Sequence, residues 1–308
     1  MDGGAKRVAV IDIGTNSARL MVADVQGGRV SQVDRRSSVT RLGRGVDLSG
    51  RLSAEAIEDT CEAIGGYVAA IRELGVERVD AIATSAVRDA ANGSAFIAEL
   101  RERFALGARV LDGEEEARLT YLGATSEHVP KVPTLVVDIG GGSTELIVGS
   151  GEEIEFHTSL QAGVVRHTER HINSDPPTAI ELESLAADVR GLIEGALVGG
   201  ARAEAGIAVA GTPTSLAAIE MALVPYDPVR VHDHVLALPA IQRMLSQLAS
   251  APLAERIEIP GLHTDRAPTI VAGVVILVET MRAFGLEEIT VSEHDILYGT
   301  AITAASRR

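Results

Sequence analysis

A chain of 308 residues is too long for one comfortable hydrophobic core and suits two domains of roughly 130 to 170 residues each. No apolar run reaches the ~18 residues of a membrane span, and residues 1–7 lack the apolar stretch of a signal peptide, so we expect a cytoplasmic protein. The formal net charge of −15 disfavours nucleic acid and membrane surfaces as partners, and the single cysteine, Cys61, excludes an internal disulfide.

The first predicted elements form a three-stranded meander. The strands are KRVAVIDIG, ARLMVADV and, after the turn at residues 26–28, GRVSQVDRRSSV. The chain then alternates between helix and strand. Ser53 is a predicted N-cap for AEAIEDTCEAIGGYVAAIRELG, and the following elements are the strand VDAIATS, the helix SAFIAELRERF, the strand ARVLD and the helix EEEARLTYLGAT.

The same plan recurs from Pro133, with the strands TLVVDIG, STELIVG and EEIEFHTSL around a turn at residues 150–152. The helix IELESLAADVRGLIEGAL is followed by the strand AGIAVAG and by a helix that begins at Pro213. The long helix RAPTIVAGVVILVETMRAFG is then followed by the strand EEITVS and by a closing helix from His294. The repeat extends to the residues themselves. Aligning DIGTNSARLMV (12–22) with DIGGGSTELIV (138–148) gives six identities in eleven positions at a constant offset of 126.

This duplication predicts an α/β protein of two actin-like, ribonuclease-H-like (ASKHA) domains that face each other across a central cleft. We place the first domain at residues 1–127 and the second at 128–308, with a proline-containing linker at 126–133. A C-terminal helix at about 295–308 could pack back on the first domain. Each glycine-rich turn is expected to point into the cleft, so that the two turns can bind one phosphate chain from both sides.

Seven blocks of sequence, in order over essentially the whole chain, resemble the Ppx/GppA family of exopolyphosphatases and guanosine pentaphosphate phosphohydrolases, in its short two-domain form. The blocks are VAVIDIGTNSARLMV, ATSAVRDAANGSAF, DGEEEARLTYLGA, LVVDIGGGSTELIVG, SLQAGVVRHTE, VAGTPTSLAAIE and VSEHDILYGTAI. The resemblance implies hydrolysis of the terminal phosphoanhydride of inorganic polyphosphate. It also implies Mg²⁺ as cofactor, with a monovalent cation such as K⁺ as a further candidate, and suggests a homodimer.

Candidate phosphate-binding residues lie in the two turns, where backbone N–H groups can form an anion nest. They are Gly140, Gly141, Gly142 and Ser143 in the second half, and Gly14, Thr15, Asn16 and Ser17 in the first. Gly211 and Thr212, which open a helix, form a further anion site that could equally hold a nucleotide. Arg88 is a candidate clamp for a phosphate oxygen. The structural alternatives are an ordinary tight hairpin for the turns and a surface arginine at a helix start for Arg88.

Candidate catalytic residues are carboxylates. Glu114, Glu115 and Glu116 all lie at the start of a helix, and matching GEEEARL to the family's block selects Glu116 as the base or positioner of the attacking water. Asp138 and Glu145 flank the second turn and could face one Mg²⁺, and Asp12 is the corresponding carboxylate of the first half. Hairpin hydrogen bonding is the alternative role for Asp12.

The basic residues are almost all arginine, whose guanidinium pairs bidentately with phosphate. Arg41 and Arg44, in the loop DRRSSVTRLGRG, and the group Arg166, His167 and Arg170, in GVVRHTERH, are the candidates for a polyphosphate path. His232 and His234 could be taken for a zinc pair, but no third ligand has a recognisable spacing, so we predict no zinc there.

Three other functions use the same motifs. Hydrolysis of guanosine pentaphosphate needs the same site as exopolyphosphatase activity. An actin-like ATP-dependent sugar kinase would need an aspartate base in a sugar-binding block, and no such block is recognisable. A non-catalytic alarmone or polyphosphate sensor would keep the glycine turns and could lose Glu116, Asp138 and Glu145, all of which are present.

Overall fold

The computed structural model describes residues 4–198 and 200–307. The chain divides into two compact units. Unit 1 contains the described residues up to His128 together with the segment from Ile296, and unit 2 runs from Val129 to Asp295. Each unit combines a mixed sheet with helices, which confirms the α/β class predicted from the sequence.

The strands, in chain order, are β1 (Lys6–Ile13), β2 (Ala18–Gln26), β3 (Arg29–Ser38), β4 (Arg78–Ala83), β5 (Ala108–Val110), β6 (Thr134–Ile139), β7 (Thr144–Ser150), β8 (Glu153–Leu160), β9 (Ala205–Val209), β10 (Val235–Ala237) and β11 (Glu288–Val291). The helices are α1 (Val46–Ser49), α2 (Ala54–Glu73), α3 (Ser85–Asp89), α4 (Gly93–Phe104), α5 (Gly113–Ala124), α6 (Val164–His171), α7 (Ala179–Ala196), α8 (Gly211–Glu220), α9 (Pro228–Val231), α10 (Leu238–Ser250), α11 (Leu253–Arg256), α12 (Ile270–Phe284) and α13 (Ile296–Ser306).

The sheet of unit 1 has the order β3-β2-β1-β4-β5. β1 and β2 pair antiparallel, as do β2 and β3, because tight turns join them. At the turn between β2 and β3, Gly27 and Gly28 adopt φ values of 59° and 83°, which other residues rarely do. β4 pairs parallel to β1 and β5 parallel to β4, each after a helical crossover. A meander followed by parallel strands in this order is the ribonuclease-H-like arrangement predicted from the sequence.

Both faces of the first sheet are covered, which explains why β1 is an almost unbroken apolar run. Alternate residues such as Ile11 pack with Ile64 of α2 and Phe96 of α4. The opposite face, which includes Val10, packs with Leu297 of α13. The segment from Ile296 therefore completes the core of unit 1.

The sheet of unit 2 has the order β10-β11-β9-β6-β7-β8, which repeats the plan of unit 1 and adds β10 at one edge. Its core centres on α12, where every residue from Ile270 to Met281 is buried. Complete burial accounts for an apolar sequence without a polar face. Among the described residues, none of the helices combines the length and apolar composition needed to cross a membrane.

Several elements of unit 2 were not predicted. The helix α10 carries Ile241, Met244 and Leu248 at helical spacing on its buried face, so a signal for it was present in the sequence. The helix α6 and the strand β10 are too short for a periodic pattern to stand out. The closing helix begins at Ile296 and not at His294, and the helix predicted from Pro213 begins at Gly211.

The contact between α13 and α5 depends on a glycine. A β-carbon at Gly299 would lie 1.9 Å from the carbonyl oxygen of Leu119. We expect Gly299→Ala to lower the free energy of unfolding by about 1–3 kcal/mol, because the two helices must move apart. The control is Gly191→Ala on the exposed face of α7, where an added β-carbon meets no atom within 4 Å. Because alanine favours the helix more than glycine does, the free energy of unfolding of the control should rise by up to ~1 kcal/mol. Urea unfolding followed by circular dichroism measures both values. Equal effects of the two substitutions would contradict this packing.

Candidate functional site

The turn between β1 and β2 is closed by its own backbone. The N–H of Gly14 donates to the carbonyl of Ser17 at 3.1 Å, and a β-carbon at Gly14 would lie 2.9 Å from that oxygen. Gly14 is therefore needed for the shape of the turn, and its N–H is not available to an anion. This corrects the expectation that all four N–H groups of each turn face the phosphate. Thr15, Asn16 and Ser17 are buried, and the donors left for an anion are at these three residues.

Asn16 adds a side-chain donor to the same turn. Its amide nitrogen is buried and has no hydrogen-bond partner among the described residues. A buried donor without a partner costs ~1–3 kcal/mol, so an oxygen of a bound ligand fits this position. The carbonyls of Asn16 and Thr15 accept from the N–H groups of Arg41 and Gly43, at 3.0 and 2.8 Å. The turn thus holds the loop that carries the exposed Arg41 and Arg44.

The turn also positions Arg88. The hydroxyl of Thr15 accepts from the backbone N–H of Ala86 at 3.2 Å, at the start of the short helix α3 that carries Arg88. The guanidinium of Arg88 donates to Glu116 at 2.7 Å and to the carbonyl of Leu111 at 3.0 Å. The expected phosphate clamp and the expected base are therefore partners of one another in this structure.

Glu116 is the buried member of the predicted acidic run. Asp112 caps α5 by accepting from the N–H of Glu115, which fixes the start of the helix and turns Glu116 inward while Glu114 stays exposed. Burial raises the pKa of Glu116, the ion pair with Arg88 opposes this rise, and Asp12 adds to it. A raised pKa makes an ionised carboxylate a stronger proton acceptor.

Asp12 has a partner that sequence reasoning missed. Arg19 lies directly opposite Asp12 in the register of β1 and β2, and its guanidinium donates twice to one carboxylate oxygen, at 2.6 and 2.9 Å. Asp12 is therefore neutralised within its own hairpin. Its predicted role as a metal ligand remains a prediction, but a fixed guanidinium already supplies a positive charge.

The turn of unit 2 repeats this geometry. Gly140 donates its N–H to Ser143 at 2.9 Å, so it too shapes the turn and does not face an anion. The carbonyls of Gly140 and Gly141 accept from the first N–H groups of α6, and Gly142 accepts from the Nε of Arg166 at 2.8 Å. Hydrogen bonds from α6 thus fix the backbone of the turn.

A close backbone approach makes these hydrogen bonds possible. A β-carbon at Gly163, the residue before α6, would lie 2.3 Å from the carbonyl oxygen of Gly141. Only glycine permits such a contact. It places the N–H groups of Val164 and Val165, which a free helix terminus would leave without partners, on carbonyls of the turn.

Asp138 and Glu145 occupy the positions of Asp12 and Arg19 in the second hairpin. They are directly opposite in the register of β6 and β7, and they are 9% and 2% exposed. Two like charges directly opposite one another destabilise a sheet, and burial increases the cost. Ser159 donates to Glu145 at 2.8 Å. Carboxylate oxygens in this arrangement fit a hard divalent cation.

The group predicted from GVVRHTERH is dispersed. Arg166 reaches the glycine turn, but Arg170 lies 3.3 Å from Asp188 on α7. His167 is fully buried, and burial lowers its pKa to about 4, so it is uncharged near neutral pH. The expectation that His167 lines an anion path is therefore wrong, because its ring is buried and uncharged and, like Arg170, lies beside Asp188.

The N-terminus of α8 has the features of an anion site. Arg266 was not predicted, since it lies far from α8 in sequence. A β-carbon at Gly211 would lie 2.5 Å from its guanidinium carbon. Ala210 precedes the helix with φ 72° and ψ −169°, a conformation that costs ~1–3 kcal/mol and is concentrated at functional sites. Thr212 is buried at this helix start.

Comparisons with known proteins place these features in a family. The Ppx/GppA phosphatase family profile matches residues 21–301. This chain belongs to the Ppx/GppA phosphatase family. Exopolyphosphatase 2 of Mycobacterium tuberculosis is 36% identical over 97% of this chain and 98% of its own length. The Ppx/GppA family member from Aquifex aeolicus, whose crystal structure is solved, is 33% identical, covers 97% of both chains and superposes with a TM-score of 0.83.

A second activity occurs among the relatives of this Ppx/GppA protein. The guanosine-5'-triphosphate,3'-diphosphate pyrophosphatase of Photobacterium profundum is 28% identical over 92% of this chain, which spans 56% of that relative's length. Both relatives are named for hydrolysis of a phosphoanhydride. The family resemblance predicted from the sequence blocks is thereby confirmed.

The facing carboxylates predict a stability test. Without divalent cation, Asp138→Asn and Glu145→Gln should each raise the melting temperature, because one of two opposed charges is removed. Mg²⁺ at about a hundred times its dissociation constant should stabilise the unmodified protein by ~2.7 kcal/mol, and the variants should lose most of this gain. Glu155→Gln, an exposed position on β8, is the control and should behave as the unmodified protein. Thermal scans with EDTA and with Mg²⁺ make the comparison, and equal Mg²⁺ responses in all proteins would exclude the pair as a cation site.

Proposed function

We propose that this protein is a Mg²⁺-dependent exopolyphosphatase, which hydrolyses the terminal phosphoanhydride of inorganic polyphosphate and releases orthophosphate. The name and full-length similarity of the mycobacterial relative support the substrate. The observation that carries the proposal is the buried Glu116, held by Arg88 and raised in pKa, because hydrolysis requires a base for water.

The chemistry assigned to Glu116 is proton acceptance. Water attacks the terminal phosphorus, a new P–O bond forms, the bridging P–O bond breaks, and Glu116 takes the proton released by the water. Arg88 keeps the Glu116 carboxylate in place. Its charge also lies where an incoming phosphate oxygen can be bound, so substrate binding and base positioning share one guanidinium.

The remaining groups bind the polyanion. The N–H groups at positions 15–17 and 141–143, together with the amide of Asn16, are donors for phosphate oxygens. Asp138 and Glu145 would hold Mg²⁺, which supplies neutralisation of the charge on phosphate oxygens. A protein of net charge −15 must attract its substrate through such local contacts.

Hydrolysis of guanosine pentaphosphate is the second candidate. The observation that favours it is the start of α8, where Arg266 lies against Gly211 and the strained Ala210 precedes the helix. A helix N-terminus beside a guanidinium fits a phosphorylated nucleotide.

A phosphate-release assay separates the candidates. Long polyphosphate, short polyphosphate, guanosine pentaphosphate and ATP are compared with the same enzyme preparation and excess Mg²⁺. The proposal requires kcat/KM to be highest for polyphosphate. A higher value for guanosine pentaphosphate would assign the second activity instead, and turnover of ATP only with an added sugar would indicate a kinase.

The role of Glu116 predicts a large effect on rate. Glu116→Gln should lower kcat by ~10²- to 10⁴-fold while binding of polyphosphate is retained, because the amide keeps the shape and cannot accept the proton. Glu114→Gln on the same helix is the matched control, and its exposed side chain should leave kcat unchanged. The measurement is single-turnover phosphate release with binding determined separately. If the kcat of Glu116→Gln stayed within a few-fold of that of the unmodified enzyme, the assignment of Glu116 as the base would be contradicted.

The loop with Arg41 and Arg44 predicts a dependence on chain length. Both side chains are exposed on a loop anchored to the first glycine turn, so we expect them to contact phosphates beyond the terminal one. Replacing both by alanine should lower kcat/KM for long polyphosphate more than for a triphosphate-sized substrate. Arg88→Ala should weaken both substrates about equally.

The matched control replaces Arg72 and Arg101, exposed arginines on α2 and α4 of the same unit, by alanine. The net charge then changes by the same amount away from the turn. The long-to-short ratio of kcat/KM should fall only in the Arg41/Arg44 variant. If both double variants gave the same ratio, the loop would have no specific part in binding the polymer.

A further inference from the structure

Three potential metal ligands converge at the end of α6, away from the carboxylates described above. His167 and His171 are four residues apart on one face of α6, and Asp188 lies opposite them on α7. The Nε2 of His171 is 2.9 Å from an oxygen of Asp188, and the Nε2 of His167 is 3.5 Å from the same oxygen. One ligand atom from each residue lies within 4.8 Å of the other two.

The burial of His167 is the unusual feature of this cluster. Its side chain is fully buried, and neither ring nitrogen has a hydrogen-bond partner among the described residues. An imidazole that forms no hydrogen bonds in a protein interior loses its hydration without replacement. Burial also lowers the pKa of His167 to about 4, so the ring is in the neutral form that binds metal ions.

The spacing of the three ligands matches a small tetrahedral ion. With bonds of about 2.0–2.1 Å, two ligands of a tetrahedral Zn²⁺ lie ~3.4 Å apart. The distances from Asp188 to the two histidines, 2.9 and 3.5 Å, bracket this value. We propose that His167, His171 and Asp188 form a binding site for Zn²⁺ or a similar divalent transition metal, with the fourth position open to water.

The surroundings favour a bound cation in two ways. Ser184 lies 3.2 Å from the Nδ1 of His171, which orients the ring and leaves Nε2 for the metal. His171 is the last residue of α6, and the C-terminus of a helix attracts positive charge. Arg170 lies 3.3 Å from the same oxygen of Asp188, so its guanidinium must give up this contact when the metal binds.

The site differs in chemistry from the pair Asp138 and Glu145. Imidazole nitrogens select zinc and related ions, whereas a set of carboxylates suits Mg²⁺. Its place in the fold also gives it a consequence. The first residues of α6 hold the second glycine turn, so a metal that joins α6 to α7 would restrain the helix that braces this turn.

The test uses the full chain, stripped of metal and titrated with Zn²⁺ by calorimetry in the presence of excess Mg²⁺, which occupies sites that prefer hard cations. We expect about one Zn²⁺ per chain. His171→Ala and Asp188→Asn should each weaken zinc binding by ~10²-fold or more, since the loss of even an outer-shell partner costs 10- to 100-fold. These two residues are only partly buried, so both variants should fold, as circular dichroism will verify.

Two controls separate this site from others. His263→Ala removes an exposed histidine beside Asp265, and it should keep the full zinc affinity. Asp138→Asn should also keep it, because that residue belongs to the carboxylate pair. Zn²⁺ should further raise the melting temperature of the unmodified protein and of both controls, but not of the His171 and Asp188 variants. Failure of the unmodified protein to bind Zn²⁺ under excess Mg²⁺, or unchanged zinc affinity in the two site variants, would overturn the proposal.

Discussion

The register of two hairpins determines most of what the charged residues of this protein can do. In each hairpin a turn of four residues joins the strands, and the second-last residue of one strand lies opposite the second residue of the next. Because opposite residues of antiparallel strands project to the same face, two side chains must share one position beside the turn. The duplication puts Asp12 with Arg19 in one hairpin and Asp138 with Glu145 in the other.

This single difference gives the two copies different electrostatics. In unit 1 the pair is self-neutralising, and Arg88 provides a second guanidinium for the buried Glu116. In unit 2 both members are acidic and buried, and a bound cation, as proposed above, would balance their charge. The same hairpin thereby carries an ion pair in one copy and, in the other, two carboxylates at which we propose a cation.

Much of this could be predicted from the sequence. Apolar runs and glycine turns located the strands, and the internal repeat identified the residues beside each turn. The same offset of 126 also relates Arg19 to Glu145, so the partner of Asp12 was within reach of the sequence alone. The carboxylate selected in the acidic run is the buried one, although that selection came from family resemblance, and periodicity alone left more than one candidate.

Other features depend on contacts that local patterns do not contain. The burial of His167 results from the tertiary packing of α6, and Arg266 is brought against Gly211 by the tertiary fold. The N–H of Gly140 was assigned to a ligand because a glycine-rich turn suggests open donors, but the turn uses that N–H for its own closure. In each case the sequence supplied the residue type, and the three-dimensional neighbours determined its role.

The position of α13 sets the order in which the chain can reach its native state. Unit 2 is continuous in sequence, whereas the core of unit 1 needs contacts such as that from Lys6 to Ala305, which are 299 residues apart. During synthesis β1 is made early, and the apolar face that includes Val10 stays uncovered until Leu297 has been added. Unit 2 can therefore form from one continuous segment, while the core of unit 1 becomes complete only after α13 has been made.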